Sequence, residues 1–70
     1  MIAASDVIRF VGKRTVLRSE NNVSYAGIVT SIEILQGEQG VLLELDARSR
    51  FSVWCPLNFV KELILVPISD

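Results

Sequence analysis

The pattern of apolar and polar positions divides the chain into one short helix followed by five strands. Near the start, Val7, Phe10 and Val11 recur at i, i+3 and i+4, the spacing of one helical face, which predicts a helix over residues 5–11. Ser5 is placed to cap it, Asp6 sits where the helix dipole favours negative charge, and Gly12 follows as a stop. The apolar period then shortens to two. Residues 15–20 read as a strand, Asn21-Asn22 as a two-residue turn, and residues 23–35 as a long β segment rich in Val, Ile, Thr and Tyr. Inside that segment the parity breaks: Tyr25 and Val29 fall on one face, Ile28, Ile32 and Ile34 on the other. A strand buried on both faces, or one bent over the core by a bulge near Thr30-Ser31, gives this break, and in a small barrel the bend is the more natural reading.

Residues 36–40, with two glycines, read as a turn. Val41, Leu43 and Leu45 alternate inward, residues 47–49 turn, and Phe51, Val53 and Cys55 alternate inward again, leaving Trp54 outward. Residues 56–59 break the strand as a single 3₁₀ turn. Residues 63–68 form the last strand, apolar on both faces, and Pro67 places its end at a sheet edge. The expectation is a mostly β, SH3-like, strongly bent five-stranded small barrel. It forms one domain over residues 1–70, with the helix over 5–11 and the barrel over 14–68.

Composition changes this picture in two ways. A chain of 70 residues with one cysteine and no histidine has no intrachain disulfide and no zinc site, so no metal or cofactor is expected. Without a histidine base, an inward Cys55 has nothing to activate it, and Glu33, Glu38, Glu44, Asp46 and Glu62 form no recognisable catalytic pair. The chain does not read as an enzyme. Half of its residues are apolar, more than a small barrel hides, which points to burial against another subunit. No apolar run approaches the roughly 20 residues that span a bilayer, and Asp6 and Arg9 interrupt any leader-like stretch. A cytoplasmic protein with no membrane partner is expected. The net charge of −1 argues against broad cationic binding to duplex. Its distribution is uneven: Arg9, Lys13, Arg14 and Arg18 stand against Asp6 alone in the first 18 residues. A basic end on an acidic body could draw phosphate to one face, or could be ordinary solvated charge.

The order of elements resembles the Sm and Sm-like (LSm) family, including its bacterial Hfq-type branch. The resemblance rests on the short helix, Gly12-Lys13, and the run Asn21, Asn22, Tyr25, Gly27, Val29, Ile32 and Glu33, which corresponds to that family's first motif. Glycine at 27 has a physical reason, since a sharply curved strand crossing another closely leaves no space for a Cβ. The sequence departs from the family at Glu33, where an aspartate is usual, and at Gly37, where an asparagine is. Val60-Lys61-Glu62 stands where the second motif has an apolar residue, arginine and glycine. Residues 56–63 also resemble the closing P-x-N-[YF]-V segment of SH3 domains, which fits a 3₁₀ turn between the last two strands.

The Sm-like resemblance implies a homo-oligomeric ring of five to seven subunits that binds single-stranded RNA, or DNA, at loops lining the ring. Carried onto this sequence, Leu35 and Gln36 would contact bases. Lys61, Arg48, Arg50, Arg9, Lys13 and Arg14 would contact phosphates. In rings of this kind the fourth strand of one subunit pairs with the fifth of the next. That would place Trp54, Ile64, Val66 and Ile68 in a subunit interface, although an outward Trp54 could equally stack a base. The alternative function is a protein-interaction or structural module on the same scaffold.

Overall fold

The computed structural model describes residues 2–46 and 51–67. A short helix α1 (Ala4–Ile8) leads into strands β1 (Arg14–Ser19), β2 (Ser24–Leu35), β3 (Glu38–Leu45) and β4 (Ser52–Pro56). A 3₁₀ turn η1 (Leu57–Phe59) then joins β4 to β5 (Val60–Leu65). The five strands form one antiparallel sheet in the order β4-β3-β2-β1-β5. The sheet curls without closing: β4 and β5 are its two edges, joined through η1 but not paired to each other.

The helix starts one residue earlier than expected and ends three residues sooner. Ala3, not Ser5, occupies the N-cap, and it makes no side-chain cap bond. The helix stops at Ile8 because the chain must turn back early: Gly12 donates to the Val29 carbonyl at 2.7 Å, and Val29 donates to the Lys13 carbonyl at 3.3 Å. That clasp needs residues 9–13 as a connector. It leaves Val7 fully buried and Val11 41% exposed, so the helical face is narrower than its spacing suggests.

β2 carries the fold. Its first half pairs with β1 from Arg14↔Ile28 to Arg18↔Ser24, and its longer run pairs with β3 from Gly27↔Leu45 to Leu35↔Glu38. The β3 register slips between Val29 and Ser31, leaving Thr30 as the extra residue of a bulge. Thr30 Oγ1 donates to the Leu42 carbonyl at 3.1 Å. One extra residue flips the side-chain parity, so Val29 is fully buried and Ile32, three positions on, still packs against the core. Gly27 lies where β3 crosses most closely. A Cβ there would overlap the Glu44 carbonyl oxygen and sit 2.8 Å from the carbonyl carbon.

The β2–β3 connection is tighter than the sequence suggests. Only Gln36 (φ 50°) and Gly37 (φ 80°) form the turn, both with the positive φ of a type I′ hairpin, and β3 has begun by Glu38. The β1–β2 connection is looser, a four-residue loop in which Asn22 (φ 66°) donates back to the Ser19 carbonyl at 3.0 Å. Leu17, Val29, Val41, Leu43, Val60 and Val7 are fully buried and, with Cys55, make the core. Phe51, expected inward, is 57% exposed, because it precedes β4 at the open edge of the sheet. β5 starts and ends earlier than expected. Val66 leaves the strand after a last bond to the Arg14 carbonyl, and Ile68 lies outside the described residues.

Gly27→Ala forces Glu44 backbone aside and should cost about 3 kcal/mol or more, as overpacking against an immovable neighbour does. Gly37→Ala meets no atom within 4 Å and suffers only from its positive φ, so its cost should be nearer 1 kcal/mol. Urea midpoints of the two variants against the parent measure both, and equal losses would contradict the close crossing. Burial pushes the Cys55 thiol above its ordinary value near 9. The folded state therefore holds that proton longer than the unfolded chain, so this group's stabilisation is complete below pH 9 and fades as pH rises through the folded value. Cys55→Ala should flatten the decline in stability above pH 9 relative to the parent.

Candidate nucleic-acid interface

The cations of the first 18 residues do not act as one patch. Arg14 forms an ion pair with Asp46 at 2.6 Å, which ties the start of β1 to the end of β3. Arg18 pairs with Glu62 across the β1–β5 ladder at 3.2 Å, where the two residues are register partners. Both pairs are largely exposed, each contributing about 1 kcal/mol or less. Their effect is on charge rather than stability: two of the four basic groups are already neutralised. Arg9 closes α1, Lys13 sits in the connector, and both are exposed with no ion-pair partner among the described residues. Lys13 and Arg14 border a mostly apolar groove formed with Gly12, Ile28, Leu65, Val66 and Pro67.

Leu35 (50% exposed) ends β2, and Gln36 is the first residue of the hairpin turn. Lys61 is exposed at the second position of β5, just beyond η1. Leu35 and Gln36 thus lie on a protruding hairpin and Lys61 on the opposite edge strand, and no hydrogen bond joins them among the described residues. Arg48 and Arg50 fall outside the described residues.

Trp54 has a place within its own subunit. Its Nε1 donates to the Glu33 carbonyl at 3.0 Å, reaching from β4 across β3 to β2. The indole lies over Gly40, which is buried although it belongs to the outer face. Any Cβ at Gly40 would lie 2.6 Å from the ring carbon Cζ2. Gly40 is therefore part of a strand and a seat for the indole, not part of the turn that precedes it. Trp54 remains only partly buried. Ile64 is 46% exposed on β5, at the other edge of the sheet, and Val66 is half-buried beyond its end.

A second feature was not singled out from the sequence. The β1–β2 loop folds toward the end of β4, helped by the Glu20 amide, which donates to the Phe59 carbonyl at 2.9 Å. Between loop and strand lies a cleft of about 130 Å³ lined by Ser19, Asn21, Tyr25, Trp54, Pro56 and Phe59, with Val53 and Cys55. Ser19 Oγ donates to Asn21 Oδ1 and lies 3.0 Å from the Val23 carbonyl, which holds the loop against the sheet. The signal for this cleft was present in the sequence as Pro56-x-x-Phe59 beside Trp54. What linear order could not show is that Tyr25, some thirty positions earlier, joins them.

Among the described residues no group of three or more Cys, Asp or Glu side chains is placed to hold a metal ion. No described helix is long and apolar enough to cross a membrane. Compared with family models, curated proteins and solved structures, the chain matches none.

Proposed function

We propose that the chain is a subunit of an Sm-like homo-oligomeric ring of five to seven copies that binds single-stranded nucleic acid, RNA in preference to DNA. The observation that carries this reading is the state of the two sheet edges. Leu45 donates to the Phe51 carbonyl, which sets the alternation of the β3–β4 ladder and leaves the backbone groups of Ser52 and Trp54 facing away from β3. Val66 donates to the Arg14 carbonyl, which by the same alternation leaves those of Leu63 and Leu65 facing away from β1. Each edge therefore offers two residues' worth of unpaired donors and acceptors, and each ends at a proline, Pro56 or Pro67, that has no N–H to offer. Two short matched edges flanked by Trp54, Ile64 and Leu65 favour pairing between copies over open-ended aggregation. Repetition around a ring would multiply a modest site made from Leu35, Gln36, Lys61, Arg9 and Lys13, with Arg48, Arg50 and Arg14, despite the net charge of −1.

The ion pairs of Arg14 and Arg18 favour a second reading, a protein-interaction module that uses the same edges and needs no phosphate contact.

Light scattering coupled to size exclusion should return five to seven times the 7.8 kDa of one chain. Anisotropy titrations with U-rich and A-rich oligonucleotides should show saturable binding that weakens steeply with added salt. A monomer overturns the ring. An oligomer without saturable binding overturns the nucleic-acid reading and leaves the interaction module.

A further inference from the structure

The cleft beside β4 concentrates the chain's aromatic chemistry. Of five aromatic side chains, Tyr25, Trp54 and Phe59 meet there, drawn from β2, β4 and η1. Its volume of about 130 Å³ is close to the roughly 150 Å³ of a cavity that takes one benzene ring. That is room for one ring system or one side chain, and too little for a folded partner.

Part of the wall is held before any ligand arrives. Trp54 is fixed by its bond to the Glu33 carbonyl and by its seat on Gly40. Phe59 is held through its carbonyl by Glu20, and Asn21 through its Oδ1 by Ser19. Asn21 and Tyr25 are the lining residues with polar groups to spare: neither the Asn21 amide nitrogen nor the Tyr25 hydroxyl has a hydrogen-bond partner among the described residues. An apolar side chain filling the cleft would offer these groups no partner. A planar heterocycle with a polar edge offers its faces to the rings and its edge to the amide and hydroxyl.

We propose that this cleft takes one unstacked nucleobase of a single-stranded nucleic acid, stacked on the aromatic side chains with its polar edge on Asn21 and Tyr25. The inference rests on the nucleic-acid part of the function proposed above and not on the ring. It names a contact separate from the hairpin residues Leu35 and Gln36. Stacking is tolerant of base identity, so the cleft supplies affinity for unpaired bases, while the amide and hydroxyl supply a modest preference among them.

The chain has one tryptophan, so all tryptophan emission comes from a wall of this cleft. Titration with UMP, AMP, oligouridylate and oligoadenylate should quench that emission saturably, with the oligomers binding more tightly than the mononucleotides. Phe59→Leu, at a position already 40% exposed, should keep the fold by circular dichroism and weaken binding about tenfold. Tyr25→Phe, which removes only the hydroxyl, should weaken it about threefold and change the ratio between U and A ligands. If anisotropy shows oligonucleotide binding while Trp54 emission and the Phe59→Leu affinity stay unchanged, the base lies elsewhere. The cleft assignment then fails and nucleic-acid binding stands. If anisotropy shows no binding, both fail together. Quenching by an apolar peptide but by none of the four nucleotide ligands would also overturn the assignment, giving the cleft to a protein partner.

Discussion

The close crossing of β3 over Gly27, with the bulge three residues later, is the constraint from which the rest of the molecule is arranged. Straight, a strand of 12 residues would run about 40 Å and overshoot a core built from seven buried side chains. Bent at Thr30, the same strand serves β1 with its first half and β3 with most of its length. The bend has little tolerance, because the contact at Gly27 is with backbone, which cannot rotate away as a side chain can. The clasp of Gly12 and Lys13 onto Val29 fixes the strand just before the bulge, and Val29 is packed from every side. Curling the sheet in this way carries β4 round to the β1–β2 loop. The aromatic cleft and the two open edges are both consequences of it.

Charge is managed differently from what the linear sequence suggests. A basic first quarter followed by an acidic remainder reads as a polarised molecule, yet the curled sheet brings Asp46 to Arg14 and Glu62 to Arg18. What remains on the basic side is Arg9 and Lys13, and beyond η1 Lys61. A ligand of this surface cannot rely on a dense phosphate-binding patch. It needs either repetition of a weak site or contacts that do not depend on charge, and stacking on Tyr25, Trp54 and Phe59 is a contact of that second kind.

Much of the fold was legible in the sequence because local chemistry and global shape agree there. The break in parity across residues 23–35 announced the bulge, glycine at 27 announced the close crossing, and Pro56 announced the 3₁₀ turn. The misreadings have a common cause: tertiary contacts overruled local signals. Ser5 lost the cap because the connector to Val29 sets where the helix can lie, Phe51 lies exposed at an open edge, and Gly40 was assigned to a turn when its task is to seat an indole. Trp54 was legible as an outward residue, but not as one anchored within its own subunit, since Glu33 is 21 positions away. Closure was the other overreach. Five strands and strong curvature suggested a small barrel, whereas the sheet curls without closing and keeps two edges. The candidate site was readable only in parts: the hairpin tip and Lys61 were nominated from resemblance, and the cleft needed Tyr25 brought to Phe59 by the bend.

The central claim is that the bend in β2 assembles a binding surface at the end of the sheet where the β1–β2 loop, β4 and η1 meet. Backbone and indole chemical-shift mapping of the ¹⁵N-labelled protein with a short single-stranded oligonucleotide tests it most directly. The account predicts the largest shifts at Asn21, at the Trp54 indole N–H and at Phe59, with smaller ones at Gln36 and Lys61. A spectrum that moves only around Arg9 and Lys13, or not at all, would contradict it.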